Sequence, residues 1–498
     1  MIEVPFMRDV FFCEDILNKI KSHMFPGKKS NNLHYYTDGD IAAYHGYLNL
    51  IREKHKKETV YPLEFTKNGI DNAAKNGHLE VVKWLHENRK EGCTKWAMDL
   101  AASNGYLDII KWLHENRTEG CSSYAIDYAA SHGHLNVIKF LHFNRKEGCT
   151  KTAMDLAAMY GHLEIVKWLH FNRFEGCTTY AIDYAAGMGH LEVVKWLHEN
   201  RKEGCTYNAM NWAAQKGYLN VIKFLHKNGY DRCTAAAMNN AAKNGHIDVV
   251  VWLHKNRKEC TRSAMDLAAM NGHLDIVKWL HENRNEGCTT DAMNWAAENG
   301  HLNVVKWLHE NRTEGCTTYA MNWASDKGHI NIVKWLHQNR AEGCSKNAMN
   351  WAAHGGKLDI VKWLHKNRRE GCTVNAMNWA AENGNYDVVK WLHENRAEGC
   401  TTDAMDNAAA NGYLDVLKFL HENRTEGCSQ HAMDNAAVNG HLNVAKWLYK
   451  TQSCSIVSTM ELALYNNKYK IVEWLDNVDD IEKCIKVSVW INDTFNHK

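Results

Sequence analysis

From Leu79 to Glu87 the chain reads Leu-Glu-Val-Val-Lys-Trp-Leu-His-Glu. Glu80, Lys83 and Glu87 fall at i, i+3 and i+7, a single narrow solvated stripe. Leu79, Val81, Val82, Trp84 and Leu85 cover most of the remaining circumference. That is the period of a helix covered on several sides. A shorter segment rich in small residues precedes each such stretch, as in Ala320-Met321-Asn322-Trp323-Ala324-Ser325, and Gly328 stands between the two. The pattern therefore predicts a short helix, a glycine turn and a second helix. In the copy from Cys316 to Gly343, Thr317 is the expected N-cap, since its hydroxyl can accept from an unpaired first-turn amide. The second helix is expected from about Ile330 to Gln338, ended by Gly343 in the left-handed conformation.

The unit recurs along the chain. Cys93, Cys121, Cys149, Cys177, Cys205 and Cys233 are 28 residues apart, Cys260 follows after 27, and Cys288 through Cys428 resume at 28. Thr or Ser follows every one of these cysteines. A helix pair with so little polar surface cannot be stable alone, and stacking on its neighbours supplies its core. The expected fold is an all-α helical repeat solenoid of about sixteen helix-turn-helix layers. Residues 37–477 form the array, with degenerate first (37–58) and last (454–477) copies, the latter carrying Asn467 in place of the turn glycine. Residues 1–36 read as an N-terminal helical cap and 478–498 as a C-terminal tail.

Composition narrows the function. Over 498 residues the formal net charge is +1, which argues against a dedicated nucleic-acid surface. No apolar run approaches the roughly 20 residues of a membrane span. Glu3, Arg8, Asp9, Glu14 and Asp15 break the pattern of a secretory signal, so no membrane partner and a cytoplasmic location are expected. One cysteine and one or two histidines per unit raise the question of metal. A structural zinc needs four ligands at about 2.0–2.3 Å, whereas equivalent cysteines in layers about 8–10 Å apart do not converge. The same spacing exceeds the roughly 7 Å limit for a disulfide. The cysteines are read as small buried thiols, the row from His86, His114 and His142 to His421 as packing on the adjacent layer, and Trp84, Trp112, Phe140, Trp168, Trp196 and Phe224 as core. No glycine-rich phosphate loop, G-x-S-x-G or H-E-x-x-H occurs. The expectation is no catalytic residue, no metal and no cofactor.

Ala73-Ala74-Lys75-Asn76-Gly77-His78-Leu79-Glu80-Val81-Val82-Lys83 looks like the centre of an ankyrin repeat, and Ala97-Met98-Asp99-Leu100-Ala101-Ala102 resembles that family's T-P-L-H-x-A-A opening. With its W-L-H-E-N-R and E-G-C-T segments, the 28-residue form looks most like the ankyrin proteins of giant, mimivirus-like DNA viruses. Two departures stand out. The family's repeat is about 33 residues long, and the missing residues fall where ordinary ankyrins project a β-hairpin, so short loops with little or no strand are expected. The family's Pro and His are replaced by Ala and by Asp or Asn (Asp99, Asn211, Asn322), which leaves no basis for carrying over its hydrogen bonds between repeats.

The resemblance implies a non-catalytic protein-binding scaffold, monomeric and cytoplasmic (in host cytoplasm if viral). Its partner would be one or more proteins, held in a concave groove near the start of each first helix. There the copies differ most, and Trp96, Tyr124, Tyr180, Asp291, Tyr319, Asp403 and His431 are the candidate contacts. Tyr and Trp offer large contact area with a polar tip. The alternative is a substrate-selecting adaptor of a ubiquitin ligase, in which Phe12 to Met24 is a degenerate F-box-like helix lacking the Leu-Pro start.

Overall fold

The computed structural model describes residues 38–56, 63–256, 261–452 and 455–476. Within them the chain is all-α. Sixteen helix pairs follow one another, from Gly39–Tyr44 with Leu48–Lys56 to Ile456–Tyr465 with Tyr469–Asp476. Among the described residues there is no strand, only an isolated bridge between Asp38 and Glu64. The chain divides into two compact units. One comprises Met1–Ala185 and Glu192–Gly204, the other Ala186–Leu191 and Cys205–Lys498. Each is a stack of helix-turn-helix layers. The F-box-like segment at 12–24, the rest of the proposed cap and the 478–498 tail lie outside the described residues.

Within each unit the first helix of a layer packs on the first helices above and below it far more closely than second helices do on theirs. The sequence explains this. Ala101 and Ala102 in the first helix Trp96–Ser103 are fully buried, and with only a methyl group each they let neighbouring helices approach. Val81, Val82, Trp84 and Leu85 of Leu79–Asn88 fill the space between its own first helix and the neighbouring layers. Each buried aliphatic side chain contributes about 1.5–3 kcal/mol. The core is thus distributed along the chain, one portion per layer.

The expected N-caps are present. The Thr317 hydroxyl accepts from the Tyr319 N–H at 3.2 Å and that of Thr150 from the Thr152 N–H at 3.1 Å. Gly328, at φ +89°, makes the turn, and Asn467 stands in the left-handed region at φ +58° in the last layer.

Two expectations need correction. Gly343 does not end its helix. Ile330–Asn339 stops because Arg340 turns extended and the Asn339 side-chain amide donates to the Trp335 carbonyl at 2.8 Å. Asn88, Asn116 and Asn172 do the same in their layers. Gly343 is left-handed three residues later, inside the loop. Nor are the second-helix rings all core. Trp84 is buried, but Trp112, Phe140, Trp168, Trp196 and Phe224 are half-buried. Trp112 sits at the helix flank, where the His86 ring of the preceding layer meets its edge at 5.1 Å and 84°. The histidines accordingly pack on the adjacent layer, as expected.

Candidate partner-binding face

Two sets of polar contacts fix the frame on which candidate contacts stand. In the first, an Asp or Asn in the opening residues of a first helix reaches the Thr or Ser that caps the first helix of the next layer. The Asp99 carboxylate accepts the Ser122 N–H at 2.8 Å and its hydroxyl at 2.6 Å. Asp71 holds Thr94, Asp127 holds Thr150 and Asp155 holds Thr178 in the same way. In the second unit Asn often replaces Asp. The Asn322 carbonyl accepts the Ser345 N–H at 3.0 Å while its amide donates to the Ser345 hydroxyl at 2.9 Å. Burial pushes the Asp99 carboxyl above its ordinary range, although the two Ser122 hydrogen bonds pull the other way. These bonds tie each layer to the next, and the sequence pattern did not disclose them.

The second set lies in the loops. Arg117 binds Glu119 with Nε and Nη2, and its Nη1 reaches His86 Nδ1 of the preceding layer at 3.2 Å. Glu119 Oε1 in turn accepts the N–H of Cys93, also in the preceding layer, at 3.4 Å. Burial opposes ionisation of Glu119, but the hydrogen bonds and charge of Arg117, together with the Glu119 and Cys93 N–H groups, outweigh it and hold the carboxyl at about 2. The Cys93 thiol, buried and facing Glu119, is pushed up to about 12. The bracket recurs through Arg145, Arg173 and Arg201, and through Arg312 to Arg396 in the second unit. The layer of Leu219–Lys227 departs from it, since Asn228 and Gly229 end the helix and His226 Nδ1 pairs with Asp231 at 2.8 Å; near the end of the array the Gln452 amide, in place of an arginine, meets His421 Nδ1 at 3.0 Å.

In several layers these contacts leave the second residue after the N-cap turned outward. In the first unit Trp96 is 45% exposed and Tyr124 and Tyr180 are each 49% exposed. Trp96 and Tyr124 stack across adjacent layers at 6.4 Å and 9°, and Tyr124 continues onto Tyr128 at 5.5 Å. Tyr180 stacks on Tyr184 of its own helix at 5.2 Å, with Thr152 occupying the layer between it and Tyr124. In the second unit Tyr319, 48% exposed, stacks on Trp323 at 4.8 Å. Asp403 and His431 are exposed, whereas Asp291 is half-buried. The face offers aromatic area and hydrogen-bonding tips. Among the described residues no three His, Cys, Asp or Glu side chains gather as a metal site.

A different feature escaped the sequence reading. Phe143, Phe171 and Phe174 are exposed by 73%, 75% and 103%. The clue was present, since the positions of Phe143 and Phe171 carry Glu in flanking copies, at Glu115 and Glu199.

The model of ankyrin repeats (3 copies) matches residues 70–155, 98–178, 154–237, 238–320 and 321–406, and that of ankyrin repeats (many copies) matches 405–448. No curated protein matches. Among solved structures the chain is similar to the pentatricopeptide repeat protein PPR10 from maize, at 10% identity over 88% of this chain and 82% of that one. The TM-score of 0.32 gives that likeness no weight in argument.

Proposed function

Because the chain belongs to the ankyrin-repeat family, whose models cover most of its length, we propose that it is a non-catalytic scaffold that binds protein through variable residues at the starts of its first helices. The contacts are Trp96, Tyr124 and Tyr180 in the first unit and Asp291, Tyr319, Asp403 and His431 in the second. The observation that carries this reading is the outward row of Trp96, Tyr124 and Tyr180 on helices whose other faces are buried or engaged between layers. Rings of this kind anchor interfaces because they bury large area at low entropic cost. The short repeat is read as the form resembling giant-virus ankyrin proteins. The scaffold is taken to act as a monomer in the cytoplasm, that of the host if the source is viral.

Quantitative capture of binding proteins by the full chain and by W96A/Y124A/Y180A tests the assignment. At least a tenfold loss of the captured protein is expected from the triple variant. Undiminished capture would remove these residues from the site. A parallel chain lacking residues 1–36 addresses the adaptor alternative, which predicts that ubiquitin-ligase components are lost while the target is retained.

A further inference from the structure

Two of the three exposed phenylalanines lie on the other helix of each pair and the third in the loop that follows it. Phe143 stands next to last in Leu135–Asn144, Phe171 occupies the equivalent place in Leu163–Asn172 one layer on, and Phe174 follows in the loop after Arg173. The chain supplies its own control. In every other layer of the regular array the position of Phe143 and Phe171 holds Glu, Lys or Gln, and the layers flanking Phe174 hold Lys146 and Lys202 in its place. These two neighbouring layers alone carry phenylalanine at these positions, and all three rings are exposed. Patches of this kind on soluble chains mark interaction surfaces. His142 and His170 support the rings edge-on at 4.9 and 4.8 Å, which holds them outward.

The occupant follows from shape and charge. At 73–103% exposure the rings stand proud of the surface and line no cleft, so they suit a deformable apolar medium better than a rigid counterpart with preformed pockets. The second helices and loops that carry them hold five cationic side chains (Lys139, Arg145, Lys146, Lys167 and Arg173) against three anionic ones (Glu147, Glu164 and Glu175). Lys139 and Lys146 are exposed, and Glu147, Glu164 and Glu175 are each paired within the layer. A cationic rim disfavours a second copy of the same patch and favours an anionic counterpart. Glu115 and Glu199 bound the patch one layer away on either side, which confines the footprint to two layers.

We propose that Phe143, Phe171 and Phe174 form a surface that rests on an anionic lipid leaflet, the rings entering the headgroup–acyl boundary and Lys139 and Lys146 meeting lipid headgroups. Resting on a leaflet differs from crossing one, and no helix among the described residues is long and apolar enough to cross. The surface is independent of the protein-binding face.

Sedimentation of the full chain with phosphatidylcholine vesicles, with and without 30 mol% phosphatidylserine, tests this. The chain should partition onto the anionic vesicles at least tenfold more than F143E/F171E/F174K does, and K139Q/K146Q should reduce binding severalfold. Other layers carry Glu, and Lys, at these positions, so an unchanged circular dichroism spectrum is expected, and F174K alone serves as a milder second variant. The proposal is overturned if the unmodified chain stays in the supernatant, or if the phenylalanine variants sediment as well as it does. It is equally overturned if, without vesicle binding, the same phenylalanines drive a dimer in analytical ultracentrifugation or a crosslinker at position 171 captures a protein.

Discussion

The buried carboxylate of Asp99 holds Ser122 of the next layer twice, at the backbone N–H and at the hydroxyl. The same hydroxyl also caps its own helix by accepting from the Tyr124 N–H at 3.2 Å. One serine thus ties the start of a helix to the layer beneath it, and the exposed ring of Tyr124, a proposed contact, follows two residues later. Rigidity of the face and stability of the stack share this joint.

Replacing Asp99 by Ala leaves a half-buried N–H and hydroxyl without their acceptor and should cost about 1–3 kcal/mol in urea denaturation. Asp99→Asn should stay within about 1 kcal/mol of the parent, since Asn322 makes the equivalent pair of bonds with Ser345. Equal losses in the two variants would show that the hydrogen bonds contribute little and the volume decides.

The loop bracket carries a pH signature. The Glu119 carboxyl, held at about 2 in the folded chain against an ordinary 4.5, binds its proton less readily folded than unfolded. Its contribution to stability is therefore complete above about pH 4.5 and is lost as the pH falls toward 2. Burial pushes Asp71, Asp99, Asp127 and Asp155 the opposite way, so their contributions oppose this trend on acidification. The difference between the parent and Glu119→Gln isolates the effect. Denaturation midpoints of the two should keep their gap from pH 6 to about 4.5 and converge as the pH is lowered further toward 2, and a gap that stays constant below pH 4.5 would contradict the assignment.

Gly92 and Gly427 form a matched pair. Both are left-handed, at φ +73° and +69°. A Cβ on Gly92 would lie 2.7 Å from the Arg117 guanidinium of the next layer, which Glu119 and His86 hold in place, whereas one on Gly427 would meet nothing within 4 Å. Gly427→Ala should show only the backbone cost of about 1–2 kcal/mol. Gly92→Ala should lose measurably more by displacing Arg117. Identical losses in thermal melts would mean that the bracket yields without resistance.

With its thiol pushed up to about 12 by burial and by the facing Glu119, Cys93 has almost no thiolate at pH 8. Alkylation of Cys93 in the native chain should be at least a hundredfold slower than in urea, because the thiolate is the nucleophile. Rapid native labelling, read by peptide mass spectrometry, would show that the layer opens readily there.

Much of this architecture was legible because it repeats. The helix pairs, the Thr and Ser caps and the glycine turns each rest on local chemistry that thirteen copies display in register. What joins layers was less legible. That Asp99 meets Ser122, or that Arg117 answers His86, depends on contacts 23 and 31 residues apart, and no helical or strand period encodes such distances. The half-burial of Trp112 was misjudged for a related reason. Amphipathic spacing places a ring on the apolar side of its helix but does not say how far the neighbouring layer covers it. Phe143 and Phe171 are hard to place for the opposite reason, since an apolar residue at a helix position otherwise polar reads equally as an exposed ring or as one covered by the neighbouring layer.

The central claim is that partner-facing and fold-bearing residues are separate sets on the same first helices. Urea denaturation of W96A/Y124A/Y180A beside Asp99→Ala tests it most directly. The account predicts that the triple variant keeps its stability to within about 1 kcal/mol, the size of the surface stacking it loses, while Asp99→Ala unfolds at clearly lower urea. A triple variant that unfolds as early as Asp99→Ala, or earlier, would contradict it.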